Sequence, residues 1–122
     1  MQIQDVIRRF DDLRSNRLTP EEKGRIVASL DRRINLSVLI PCGCAVTLPA
    51  DDDDPAEVQE RRVLAGDGYE EIYLYMLGAQ CSLFEGDIGR YNTEIAEYMR
   101  LLREYQAAME RRAARKSAKF AV

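Results

Sequence analysis

The chain has 122 residues, 46% of them hydrophobic and 32% charged, with a formal net charge of −3 at pH 7. That length suits one domain with a real core, and the charge balance is neither polybasic nor strongly acidic. With three cysteines and no histidine, the composition excludes a disulfide framework, a histidine general base, a Ser-His or Cys-His pair and an ordinary transition-metal site.

The first predicted helix covers residues 2–13. Ile3, Val6, Ile7, Phe10 and Leu13 recur at three- and four-residue steps and share one face, with Arg8, Arg9, Asp11 and Asp12 on the other. Ser15 and Asn16 end it. The second helix has the clearest start: Thr19 as N-cap, Pro20 in the first helical position and Glu22 as the capping-box carboxylate. Ile26, Val27, Leu30 and Ile34 continue its apolar stripe to about Leu39, before Pro41 and Gly43. The β-branched stretch 34–40, with residues 45–48, also fits a short hairpin.

Residues 41–68 read as a long polar connection, with Pro41, Pro49, Pro55, the run Asp51, Asp52, Asp53 and Asp54, and Gly66 and Gly68. Loops of this length are uncommon inside compact domains unless they serve a function or are disordered. A short helix over 57–64 is compatible with the pattern.

The third main helix is predicted over 69–88. Its centre is apolar all round, which points to a helix covered on every side, by its own domain or by another subunit. Gly78, Ser82 and Gly86 repeat along one edge; a mid-helix glycine costs about 1 kcal/mol against alanine, a penalty that close approach of another backbone offsets. Gly89 is read as the break and Asn92 as the cap of a fourth helix, running from Thr93 to at least Arg112. It carries two adjacent stripes, Ile95, Met99, Leu102, Gln106 and Met109 beside Tyr98, Leu101, Tyr105 and Ala108. One stripe suffices for an intramolecular core, so Tyr98, Leu101 and Tyr105, with Gly78, Ser82 and Gly86, are the expected subunit interface. A broad stripe in a tight bundle is the competing reading. The tail after Glu110 is basic, with Arg111, Arg112, Arg115, Lys116 and Lys119 and no acid.

The expected fold is therefore all-α: a small bundle of about four main helices with a long loop between the second and third. Residues 1–110 form the helical domain and 111–122 the basic tail. The N-terminus lacks the basic and apolar regions of a secretion signal. The apolar run 72–84 is shorter than the ~20 residues of a membrane span, so the expectation is a protein made in the cytoplasm, with no membrane partner. Cys42, Cys44 and Cys81 are expected as free thiols. There is no phosphate-binding loop, and the aspartate run lacks the spaced ligands, glycine and terminal Glu of a calcium loop. No enzymatic activity and no cofactor are expected. DNA recognition is disfavoured too, because the second and third helices are too far apart in sequence for a helix-turn-helix.

Two stretches carry a family resemblance. One is TPEEKGRIVASLDRRI, residues 19–34; the other, more specific, is GYEEIYLYMLGAQCSLFEGDIGRYNTEIAEYM, residues 68–99. The second combines Tyr69, Ile72 and Tyr73, the Ala79-Gln80 pair, the Gly86-Asp87-Ile88 step and an Arg90-Tyr91-Asn92 helix junction. Together they resemble the small head-tail connector, or adaptor, proteins of long-tailed bacteriophages. The likeness covers about two-thirds of the chain and leaves out the 41–68 loop and the basic tail. It implies a virion protein that assembles as a homo-oligomeric, commonly dodecameric, ring beneath the portal protein. Such a ring extends the DNA channel, passes DNA without reading its sequence, and seats a downstream head-completion or tail protein. In that setting Arg111, Arg112, Arg115, Lys116 and Lys119 are expected to dock on the portal. Asp51, Asp52, Asp53 and Asp54 are expected to face the channel or the next ring, where acidic walls repel phosphates. The alternative is a small bacterial helical regulator or antitoxin-like partner-binding protein.

Overall fold

The structure, a computed structural model, describes residues 1–49, 54–66 and 68–120 of the chain, with side chains as far as residue 117. It is mostly helical, with no strand among the described residues. The helices are α1 (Ile3–Leu13), α2 (Pro20–Ile34), continued by a π-helical turn at Asn35–Leu39, then α3 (Pro55–Glu60), α4 (Glu71–Glu85) and α5 (Ile88–Phe120).

Local chemistry accounts for the starts. The Gln2 N–H donates to the Asp5 carboxylate at 2.8 Å, and Thr19 Oγ1 accepts the Glu22 N–H at 3.1 Å, with Pro20 in the first turn. Asp54 caps α3 by accepting from the Ala56 N–H at 3.1 Å. The N-terminus adds a short antiparallel pairing with the segment before α4, in which the Ile3 N–H donates to Arg61 O at 2.8 Å and the Val63 N–H to Met1 O at 3.0 Å. Asn35 pins the segment after α2: its side chain accepts the Val46 N–H at 2.9 Å and donates to Val46 O at 2.7 Å. The α2 continuation to Leu39 holds, as a wider π turn, and the hairpin reading of 34–48 is set aside.

The core is one cluster. Ile3, Val6, Ile7 and Phe10 of α1, Val27, Leu30 and Ile34 of α2, and Ile72, Tyr73, Met76 and Leu77 of α4 are all buried. Burying each large side chain of this kind contributes roughly 1.5–3 kcal/mol. Helix α4 touches α1, α2 and α5, which cover most of its apolar circumference and leave Leu83 and Phe84 at its end exposed.

Two expectations need correction here. The break between the last two helices lies at Gly86-Asp87, not at Gly89 or Asn92, and the residues 90–92 sit inside α5. Gly86 takes the left-handed conformation (φ +78°) that only glycine adopts freely, and the Asp87 N–H closes the turn on Ser82 O at 2.9 Å. Asp87 then caps α5, its Oδ1 accepting the Arg90 N–H at 3.1 Å. Gly89 falls in the first turn of α5, where its cost is small. The second correction concerns the wide apolar sector of the last helix. Tyr98 and Tyr105 are 5% and 4% exposed, so this stripe faces the chain's own core, and Tyr105 meets Tyr69 edge-on with ring centroids 5.0 Å apart.

Candidate interaction surfaces

The corner joining α4 to α5 is held by a polar clamp. Arg14, just past α1, donates from Nη1 to Gly78 O at 3.0 Å and to Ser82 Oγ at 3.2 Å, and from Nη2 to Glu85 at 3.0 Å. Glu94 of α5 lies 3.4 Å from the same guanidinium and accepts from the Ser82 hydroxyl. Both Arg14 and Glu94 are largely buried, at 11% and 13% side-chain exposure. Gly78 makes this possible, since a Cβ there would stand 1.9 Å from Glu94 Oε2. The small residues expected at a subunit contact are thus reassigned. Gly78 and Ser82 admit the chain's own α5, and Gly86 terminates α4. Leu101 is half-buried.

Outside the clamp the corner is apolar. Leu83, Phe84 and Ile88 are 48%, 69% and 54% exposed. Beside it, a cleft of about 430 Å³ runs between α2 and α5 across α4. Ile26, Leu30, Met76 and Ile95 line it, with Arg25, Ser29 and Arg33 of α2 along one rim and Gln80 and Tyr91 opposite. Arg25, Ser29 and Arg33 are each one helical turn apart, so they form a single exposed row.

A third surface is the far end of α5. At 1.5 Å per residue α5 is about 50 Å long, against about 23 Å for α4. The last buried one among its described side chains is Tyr105, and Met109 still packs on the core. Beyond that, Arg111, Arg112, Arg115 and Lys116 are all exposed. Their charge suits a helix C-terminus. Lys119 belongs to the helix, but its side chain lies outside the described ones. Of the acidic run, Asp51, Asp52 and Asp53 lie outside the described residues, and Asp54 is exposed and engaged as the α3 cap.

Three buried polar groups went unnoticed in the sequence. Lys23, 4% exposed, donates from Nζ to Asp11 at 2.6 Å and to Asn16 at 3.2 Å, locking the α1–α2 connection. Asp31, also 4% exposed, accepts from the Tyr73 hydroxyl, which in turn accepts the Ala65 N–H. Burial pushes the Asp31 carboxyl up to about 6, against the opposing effect of the Tyr73 and Leu64 hydrogen bonds. Burial and then the Asp31 charge raise the Tyr73 phenol strongly. An i, i+4 reading of α2 that noted Asp31 and Lys23 on or beside the apolar stripe is the signal that would have found them. These groups join secondary elements and bond to one another and to backbone, which is structural work.

Cys81 is buried, and burial raises its thiol; Cys42 and Cys44 are half-buried and unbridged, with Cys44 Sγ donating to Cys42 O at 3.7 Å. Among the described residues, no group of His, Cys, Asp or Glu is placed to hold a metal ion. Nor is any helix long and apolar enough to cross a membrane among them. No family model, no curated protein and no solved structure matches this chain.

Proposed function

We propose that this chain is a head-tail connector subunit of a long-tailed bacteriophage, a structural protein that assembles under the portal and seats the next head-completion or tail protein. The observation that carries the reading is the basic end of α5, a helical arm extending past the core with four described cations exposed and no acid after Glu110. A helical arm needs little ordering on docking, and one-sided charge steers it to an acidic partner. The resemblance of residues 19–34 and 68–99 to connector proteins supplies the identity of that partner, the portal. The small all-α bundle agrees with the same family, although the helix junction lies four residues earlier than the resemblance implies. In this reading Asp51 to Asp54 border the DNA path, and the protein carries no catalytic residue.

The test is to tag the protein in phage-producing cells, purify it gently, identify what co-purifies and image the particles. Portal and other virion proteins, with rings or virion necks in the images, are the expected result. A single non-virion partner and no ring would replace this reading with the small helical regulator.

A further inference from the structure

The exposed corner and the cleft beside it have matching chemistry. The corner segment, residues 83–88, offers three large apolar side chains, of which Phe84 is the most exposed at 69%, interleaved with Glu85 and Asp87. The cleft offers an apolar floor under a row of two arginines and no carboxylate in its lining. Neither the Arg25 nor the Arg33 guanidinium has a hydrogen-bond or ion-pair partner among the described residues. Elsewhere the chain pairs its buried or half-buried cations closely, as at Arg14 and Lys23.

We propose that the cleft of one copy of this chain receives the α4–α5 corner of a second copy. Phe84 and Ile88 then sit on Ile26, Leu30 and Ile95, and Glu85 and Asp87 face Arg25 and Arg33. Removing the apolar side chains from water drives the contact, and the rim charges set its orientation. The corner is already rigid: Gly86 and Asp87 fix the turn, and Arg14 holds Glu85 while leaving that carboxylate 46% exposed. Binding therefore orders few side chains. A second copy is favoured as the occupant because this chain itself carries both halves of the contact, with opposite charges around each apolar centre. The inference supplies the subunit contact that the connector reading requires and rests on that reading for its biological setting alone.

Sedimentation velocity on the full chain tests it with two variants at exposed positions, Phe84→Ser and the double variant Arg25→Glu/Arg33→Glu. The wild type is expected to self-associate with rising concentration, and each variant to associate roughly tenfold or more weakly, as loss of a contact's anchor does. Mixing the two variants should restore a complex, because the first keeps an intact cleft and the second an intact corner. Such complementation is not produced by a general loss of stability. A wild type that stays monomeric at its highest soluble concentration, variants that associate normally, or a mixture that stays monomeric would each overturn the contact. Virion proteins captured by a monomeric wild type would leave the connector reading standing without this contact. Complementation without any virion partner would do the reverse.

Discussion

The Tyr73 hydroxyl donates to the Asp31 carboxylate at 2.6 Å inside the bundle, tying α4 to α2, and the same hydroxyl accepts the Ala65 N–H at 2.8 Å. Helix α2, helix α4 and the segment that leads into α4 meet at these two side chains. The cost of enclosing the carboxylate appears as its raised pKa of about 6.

That value sets a pH dependence of definite sign. Asp31 titrates near 3.9 when unfolded. Between about pH 4 and pH 6 the folded state therefore binds more protons than the unfolded one, and stability contributed by this group falls as pH rises. The contribution is complete below pH 4 and lost above pH 6, a change of about 3 kcal/mol. Urea denaturation of wild type and Asp31→Asn across this range is expected to differ by that slope, with the asparagine variant gaining relative stability at pH 7. Parallel curves would show that Asp31 does not titrate in this window.

Gly78→Ala is expected to destabilise the chain by about 1–2 kcal/mol despite alanine's higher helix propensity, because the new methyl displaces Glu94 from Ser82 and Arg14. In a Glu94→Ala background the obstruction is gone, and the same substitution should become stabilising by up to about 1 kcal/mol. A double-mutant cycle in urea checks the reversal of sign; additive effects would contradict the clamp.

Tyr98 is 5% exposed, and its hydroxyl is buried without a hydrogen-bond partner among the described residues. Tyr98→Phe is therefore expected to keep or raise stability, by about 1 kcal/mol. Tyr98→Ser should lose about 3–5 kcal/mol, as aromatic truncation in a core does. Thermal melts of the two variants decide this, and equal losses would mean the hydroxyl has a partner.

Removing residues 111–122 takes away the exposed Arg111, Arg112, Arg115 and Lys116 beyond the packed part of α5. Stability should change by no more than about 0.5 kcal/mol, while the portal capture proposed for the connector should be lost. Melting curves and co-purification read the two effects separately. A truncated chain that still captures the portal would move the docking surface elsewhere.

The helices were legible where periodicity and capping agree. At α1 and α2, Ile3, Val6, Ile7 and Phe10, then Thr19 and Pro20, mark both face and start. The α4–α5 boundary was misplaced because Gly86 and Gly89 are equivalent as letters. Only the backbone conformation, left-handed at one and helical at the other, tells a terminator from a tolerated glycine. For Tyr98 and Tyr105, stripe width alone does not separate a subunit interface from a broad stripe in a tight bundle, and the structure favours the second. Their stripe meets a core built from several elements, so a wider sector is needed. Asp31, Lys23 and Arg14 stayed hidden for a related reason: a charged letter reads as solvated until its partner, tens of residues away for Asp31 and Arg14, is brought beside it.

The π turn after α2 has a consequence for chain length. From Asn35 to Leu39 the backbone bonds skip one residue more than in an α-helix, the Ile40 N–H reaching Asn35 O at 2.8 Å. Such a turn is an α-helical turn carrying a single inserted residue. Deleting one residue there would return the ladder to ordinary α pitch and leave the helical phase downstream nearly unchanged, because the wider turn takes up the extra residue locally. At the wider pitch neighbouring side chains are closer in angle than in an α-helix, and the adjacent Val38 and Leu39 are both buried. The wider turn thus acts as a slack loop in the ladder, letting the chain hold one more residue while the helix before it and the segment pinned at Val46 keep their directions.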